Sequence, residues 1–316
     1  MRRGWLWILA AALFSCGSGY AKGKVYLISA VFWEGEPLEA ENWRALATFR
    51  SQFPEVPLVH FFTPVYFTRP GGTSLELAEK WQKMLQQFQM DTPGIQLSGW
   101  KSLVEGAGVS FLSEPTFWGA PLRCNPDCGH EVPVSAYKEA DGKKLLQYSV
   151  GVLKNHGITP KAFLTGGHMS TEALTQSLPE FGIYSDFSAI DPEVLASAFH
   201  PYPWYQMVHN RWGGVSLFSQ PKKISTSNGD VTQFYQTLGP IDALSLASFQ
   251  QRYKDLALSD KEGPKILFWG FHFETIGKNL NKVLEAMAFV RKFHQETGLS
   301  WKSFQALLED AAAFPY

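Results

Sequence analysis

The sequence Lys24-Val-Tyr-Leu-Ile-Ser-Ala-Val31 is an unbroken run of apolar and β-favouring residues, and Trp33, Glu34 and Gly35 follow it closely. Such a run predicts a strand that is buried on both faces, as strands are in a parallel sheet. Further strands are predicted from similar runs that begin near Val56, Ile95, Ala162, Ile183, Val215 and Lys265. Helix-forming segments alternate with these runs, so the chain belongs to the α/β class, and right-handed crossovers would close its strands into a barrel.

Polar side chains stand at or just past the predicted carboxyl ends of these strands. They are Glu34, His60, Gln96, His130, His168, Asp186 and His272. In α/β barrels the loops that follow the strands meet at one mouth. The sequence therefore predicts that Glu34, His130, His168 and His272 face one site. Asp186 orients a residue of this mouth or caps its own loop, and Glu274 has either a site role or starts the closing helix electrostatically.

The loop from Arg123 to Tyr137 contains two cysteines, Cys124 and Cys128, together with Asp127 and His130. These residue types suit either a disulfide or a thiolate metal site. The redox compartment decides between the two, because thiols are oxidised outside the cytosol.

The first 21 residues have the pattern of a secretory signal peptide. Met1-Arg2-Arg3 is basic, the apolar run from Trp5 to Phe14 is too short to span a bilayer, and a cleavage site precedes Lys22. An alternative is an imperfect lipobox, in which Cys16 would carry a lipid anchor. We expect a signal peptide at 1–21 and a single barrel domain at 22–316, exported to a bacterial periplasm or cell envelope.

In that compartment Cys124 and Cys128 are expected to form a disulfide, and zinc held by two thiolates is the alternative. The net charge of −1 gives no field to hold nucleic acid or an anionic membrane. No run after the signal is long and apolar enough for a transmembrane span. The eleven Trp and eleven Tyr either fill a large core or line a groove where sugar rings stack.

A series of short motifs carries a family resemblance. In chain order they are Trp33-Glu34-Gly35, Phe49-Arg50, Phe53-Pro54, Pro57 to Phe61, Pro64 to Phe67, Cys128-Gly-His130, Val134 to Tyr137, Gly166-Gly167, Tyr184 to Ser188 and Gly270 to Thr275. Their order resembles the polysaccharide deacetylase (NodB-homology) superfamily, in a divergent envelope branch, over roughly Lys24 to Leu299. The resemblance implies a distorted (β/α)7 barrel, an N-acetylated sugar polymer as substrate, and a divalent metal that activates water.

Several positions depart from the family's motifs. Trp33 and Glu34 stand where the family has two acids, one acting as base and the other as metal ligand. The segment Gly94–Trp100 lacks the two metal histidines of the second motif, and Leu164 replaces an arginine of the third. His272 matches the histidine that acts as acid. The resemblance thus implies His272 and Glu34 as the catalytic candidates and a degraded usual mechanism, since zinc hydrolysis needs about three protein ligands.

A rebuilt site would use Glu34, His130 and His168 as ligands of a zinc-like ion; the alternative is that each histidine only binds nearby backbone or sugar. The expected polymer contacts are Trp33, His60, Tyr66, Trp100 and Asp186. Three functions follow. The chain engages an amino-sugar polymer such as peptidoglycan with lost or altered catalysis, or it is an active metal-dependent N-deacetylase, or it is a structural or partner-binding envelope protein.

Overall fold

The structure is a computed structural model that describes residues 25–71, 74–125, 127–260, 265–297 and 304–311. The predicted signal peptide at 1–21 and the predicted lipid anchor at Cys16 lie outside these residues. Within the described ranges, no helix combines the length and the apolar character that crossing a membrane requires.

The strands of the described residues form one sheet. In chain order they are β1 (Val25–Trp33), β2 (Leu58–Phe62), β3 (Thr92–Leu97), β4 (Ala162–Thr165), β5 (Ser185–Ile190), β6 (Lys222–Thr226), β7 (Gly229–Gln236), β8 (Gly239–Pro240) and β9 (Lys265–His272). Their order across the sheet is β6-β7-β5-β4-β3-β2-β1-β9-β8. The neighbouring strands are parallel except for the hairpin of β6 and β7.

The chain from β7 to β8 closes the sheet into a barrel. β7 pairs with β5, and three residues after β7 ends, Gly239 of β8 pairs with Trp269 of β9. Between the two strands, the N–H of Leu238 donates to the carbonyl of Phe268 at 2.9 Å. Because β9 in turn pairs with β1, residues 229–240 act as a single sixth strand. The predicted (β/α)7 barrel is confirmed.

The predicted strand near Val215 is wrong. Residues 215–218 form a turn after a helix, and the sixth strand is β7. The apolar character of the turn has another cause, because Leu217 and Phe218 pack against the core as partly buried side chains.

Helices follow most of the strands. Among the described residues they are α1 (Ala40–Gln52), α2 (Val65–Thr68), α3 (Ser74–Gln87), α4 (Lys101–Gly106), α5 (Glu139–Asn155), α6 (Glu172–Ser177), α7 (Glu193–Phe199), α8 (Pro203–Trp212), α9 (Leu246–Ala257), α10 (Ile276–Thr297) and α11 (Phe304–Ala311).

Strand alternation separates two apolar layers. Successive side chains of a strand point to opposite faces, so Tyr26, Ile28, Ala30 and Phe32 of β1 fill the barrel interior. The odd-numbered residues Val25, Leu27, Val31 and Trp33 face the surrounding helices.

One end of the barrel interior is plugged by α11. Phe304 packs with its ring centroid 5.3 Å from that of Phe187, and Leu307 belongs to the same interior cluster. Leu308 lies beside Thr92 and Ser185, which begin β3 and β5. The plug is therefore at the amino end of the strands, and the mouth is at their carboxyl end.

Candidate functional site

Glu34 and His272 meet at the barrel mouth. Glu34 directly follows β1, and by strand alternation its side chain points into the barrel, as that of Phe32 does. His272 is the last residue of the neighbouring strand β9. His272 Nε2 lies 3.4 Å from Glu34 Oε1, and the two side chains keep 27% and 29% of their surface exposed. The two predicted catalytic residues are thus brought together where a ligand could reach them.

Asp242 completes this arrangement from the far side of the imidazole. Its Oδ2 accepts hydrogen bonds from His272 Nδ1 at 2.6 Å and from the His272 backbone N–H at 3.1 Å. Its Oδ1 accepts from Asn279 Nδ2 at 2.8 Å and from the hydroxyl of Thr275. A carboxylate on Nδ1 fixes the orientation of the ring and directs Nε2 towards Glu34.

His272, Glu34 and Asp242 stabilise one another in their charged forms. Burial alone disfavours an imidazolium, but hydrogen bonds and charge attraction from Asp242 and Glu34 outweigh it and raise the pKa of His272 well above its usual value. Burial raises the pKa of the two acids, yet hydrogen bonds and charge attraction, chiefly from His272, more than offset this, so the pKa of Glu34 and of Asp242 is lowered. The mouth therefore presents a cationic donor between two anionic acceptors.

A third acid, Glu274, lies next to this group. Its Oε1 accepts hydrogen bonds from the Tyr66 hydroxyl and from the N–H of Gly35 at 3.1 Å. Burial, with the nearby negative charge of Glu34, raises the pKa of Glu274 to about 7 despite the hydrogen bond from Tyr66. Tyr66, expected to contact the polymer, is buried and instead holds Glu274 in place.

Trp100 supports the end of β1 from outside the mouth. Its indole N–H donates to the carbonyl of Glu34 at 2.9 Å, and its ring packs 4.6 Å from the ring of His130. Trp100, which the sequence predicted to contact the polymer, is only 4% exposed, and its hydrogen bond positions Glu34. His130 is partly exposed near Glu36 and Glu131.

His168 enters the mouth from the loop after β4. It has a positive φ of 64° and follows Gly167, whose φ is also positive. The indoles of Trp204 and Trp212 donate to the carbonyls of Gly167 and His168 and hold this unusual backbone. Burial lowers the pKa of His168 to about 4, so its imidazole is neutral near pH 7.

The side chains at the mouth do not fit the metal that the family resemblance implies. Within the described part of the chain, no three His, Cys, Asp or Glu residues are grouped closely enough to hold a metal ion. Glu34 is also already paired with the cationic His272, which would repel a second cation. The predicted ligand set of Glu34, His130 and His168 is therefore not assembled.

Strand alternation turns two of the predicted polymer contacts, Trp33 and His60, away from the mouth. Trp33 is 0% exposed and stacks on Phe273 with ring centroids 4.0 Å apart. His60 is equally buried, lies parallel to Phe62, and pairs with Asp91 at 3.0 Å. Both side chains point towards the helices, away from the mouth.

Asp186, also predicted to contact the polymer, is buried like the other four predicted contacts. It is fully buried, and its carboxylate accepts hydrogen bonds from the hydroxyl of Thr175 and the N–H of Ser188. It braces the end of β5 against α6 and cannot reach a polymer.

Exposed aromatic side chains form a rim next to His168. Trp118 and Tyr202 are 39% and 42% exposed, and their ring centroids are 5.2 Å apart. Trp204 lies 5.6 Å from Trp118 on one side and parallel to His168, at 6.4 Å, on the other. We call Trp118, Tyr202 and Trp204 the aromatic rim; it runs from the surface into the mouth.

The cysteine loop is fixed to the start of α4. Cys124 and Cys128 are bonded to each other. Asp127 accepts hydrogen bonds from the hydroxyl and the N–H of Ser102, and the carbonyl of Cys128 accepts from the N–H of Lys101 at 2.7 Å. The loop thus packs beside His130 and Trp100 at the edge of the mouth.

Comparison with known proteins shows similarity in fold. No protein-family profile matches the sequence, and no curated protein matches it. A PuuE allantoinase has a TM-score of 0.55 at 12% identity, covering 94% of this chain and 93% of its own. A "probable Polysaccharide deacetylase" from Pseudomonas aeruginosa PAO1 has a TM-score of 0.48 at 14% identity, covering 87% and 85%.

A 4-alpha-glucanotransferase from Thermococcus litoralis has a TM-score of 0.47 at 13% identity, and the match covers 90% of this chain but only 38% of the glucanotransferase. Identities this low show the fold alone. Two of the solved structures that are similar in fold are described as a "putative polysaccharide deacetylase" and a "probable Polysaccharide deacetylase".

Proposed function

We propose that the mouth binds an N-acetylated amino-sugar polymer such as peptidoglycan, and that the usual metal-dependent deacetylation is lost or much altered. The aromatic rim is the observation that carries the proposal. Trp118 and Tyr202 offer flat apolar faces with polar edges, the surface on which sugar rings stack. These rings continue into a floor of Glu34 and His272, whose acceptor and donor groups suit sugar hydroxyls.

The mouth supports binding more strongly than the usual hydrolysis. The family's base position is Trp33, which is buried and offers only a donor N–H. The donor set does not fit a metal. The N-terminal signal pattern supports export to the periplasm or cell envelope as part of the same proposal.

A second candidate is amide hydrolysis by a rebuilt site. It is favoured by the pair of Asp242 and His272, which keeps an oriented general acid at the mouth.

The test measures binding and acetate release together. Calorimetric titration with chitin oligomers should give saturable binding, and Trp118→Ala should weaken it at least about fivefold, as truncation of an anchoring tryptophan does. Tyr184→Ala is the matched control, because Tyr184 is an exposed aromatic residue beside the amino end of the barrel. Absence of saturable binding to chitin oligomers and peptidoglycan fragments would reject the proposal.

Acetate release, with and without added zinc, cobalt or manganese, separates the two candidates. No release supports the binding role. Release that disappears in Glu34→Ala or His272→Ala would establish the enzyme instead.

A further inference from the structure

Gln96 is a buried polar side chain that the packing of the barrel does not explain. It lies on β3 between Ile95 and Leu97, which face the helices, so its own side chain points into the barrel. It is 1% exposed. Among the residues that the structure describes, neither its Nε2 nor its Oε1 has a partner in hydrogen-bonding geometry.

An unpartnered buried amide lowers stability, because it loses water and gains no replacement hydrogen bond. The interior beneath Gln96 is apolar and includes Phe61 and Leu164. A leucine or methionine at position 96 would continue this layer without that loss. Stability alone therefore does not account for a glutamine here.

The position of Gln96 indicates what it could bind. Its amide faces the carboxylate of Glu34 and helps lower the pKa of that group through a weak hydrogen-bonding interaction, although the two side chains do not meet in the geometry of a full hydrogen bond. Gln96 therefore borders the floor where Glu34 and His272 meet. A sugar's acetamido group is a secondary amide whose N–H and C=O point in opposite directions. It needs an acceptor on one side and a donor on the other, and the floor offers both kinds of group.

We propose that Gln96 recognises the acetamido group of the bound sugar and makes the mouth selective for N-acetylated rings over rings that carry a hydroxyl there. This inference rests on the proposed function, since it assigns the group that selects the polymer. The aromatic rim then provides affinity for any sugar ring, and Gln96 provides the selectivity for N-acetylated rings.

The experiment compares chitin oligomers with cello-oligomers of equal length, which are both uncharged and differ in the acetamido group. Wild type should prefer the chitin oligomer. Gln96→Leu should weaken chitin binding about tenfold, the loss expected for a hydrogen bond in a buried site, and leave cello-oligomer binding unchanged. Its melting temperature should be equal to that of wild type or higher. Gln96→Met repeats the test in case leucine prevents folding.

The outcomes distinguish the role of Gln96 from the proposed function. A preference for chitin that survives in both variants overturns the role of Gln96 but leaves the proposed function intact. Variants that melt clearly below wild type show a structural glutamine and also overturn it. A wild-type protein that binds neither oligomer overturns the proposed function and this inference together.

Discussion

His272 is held between two acids, and this arrangement links its charge to the stability of the protein. Its pKa is raised in the folded state. The ion pairs therefore contribute fully below the unfolded histidine pKa of about 6.5, and that contribution is lost as pH rises through the folded pKa. Glu34 and Asp242 have lowered pKa values, so their contribution is lost in acid, as pH falls through their folded pKa.

We expect His272→Gln to lower the free energy of unfolding by about 1–3 kcal/mol near pH 6 and by less at an alkaline pH above the raised pKa of His272, where the imidazolium of the wild type has lost its proton. Urea denaturation at the two pH values measures the difference. His209→Gln changes an exposed histidine on α8 and should show no such decline. An equal loss at both pH values would contradict the charged arrangement.

Glu274 should respond to pH in the opposite sense. Its pKa is raised to about 7, so the folded state favours the protonated acid, and stability is lost as pH rises from about 4.5 to about 7. Glu274→Gln keeps the acceptor for Tyr66 but cannot ionise. It should match wild type at pH 4.5 and exceed it by about 1–3 kcal/mol at pH 8, again by urea denaturation. Glu285→Gln, on the exposed side of α10, is the control, and a variant no more stable than wild type at pH 8 would refute the raised pKa.

Single residues show where sequence reasoning succeeds and fails at the site. Glu34 and His272 could be predicted because each ends a recognisable apolar strand. Trp33 and His60 were assigned to the mouth because they also lie near strand ends, but alternation turns them outward. Asp242 was missed because β8 has two residues, too few for a strand pattern in the sequence. Gln96 was noted at a strand end, yet its missing partners are visible only in the structure.

At the scale of elements, the disulfide of the cysteine loop can be tested directly. Protein isolated from its natural compartment without reductant should show no free thiol at Cys124 or Cys128 when it is unfolded with an alkylating agent and analysed by mass spectrometry. Replacing both by serine should cost roughly 2 kcal/mol, because the closed loop is short and its closure entropy is small. Asp127 still ties the loop to α4 in that variant. Alkylation of both thiols in the isolated protein would contradict the disulfide.

The sixth strand shows why some elements could not be predicted. β7 contains Asp230, Thr232 and Gln233 among its residues, so it has no apolar run, whereas the turn at 215–218 does. Asp230 and Thr232 are accommodated because they alternate with the buried Val231 and keep an exposed or partly exposed side chain. The alternating strands and helices were enough for the barrel, since one misplaced strand does not alter the order of the others.

At the scale of the whole molecule, the plug of the barrel is expected to stabilise every strand at once. Phe304 is buried against the rings of Phe187 and Phe234 inside the barrel. Phe304→Ala should lower the free energy of unfolding by about 3–5 kcal/mol, the usual cost of removing a core phenylalanine. Leu75→Ala, at a highly exposed position, should change it little. A loss below about 1 kcal/mol on urea denaturation would show that the plug is not needed.

Closure of this barrel also constrains how the protein can be made. Ser29 and Trp269 are hydrogen-bonded although they are 240 residues apart, and β9 covers the free edge of β1 along eight residue pairs, from Val25↔Lys265 to Phe32↔His272. While the chain is still on the ribosome, that edge and the apolar interior have no partner. Contacts so distant in sequence form slowly, and an open strand edge is a site for aggregation. A chain released by a premature stop before residue 265 lacks β9, so its barrel cannot close and the edge of β1 stays open to aggregation.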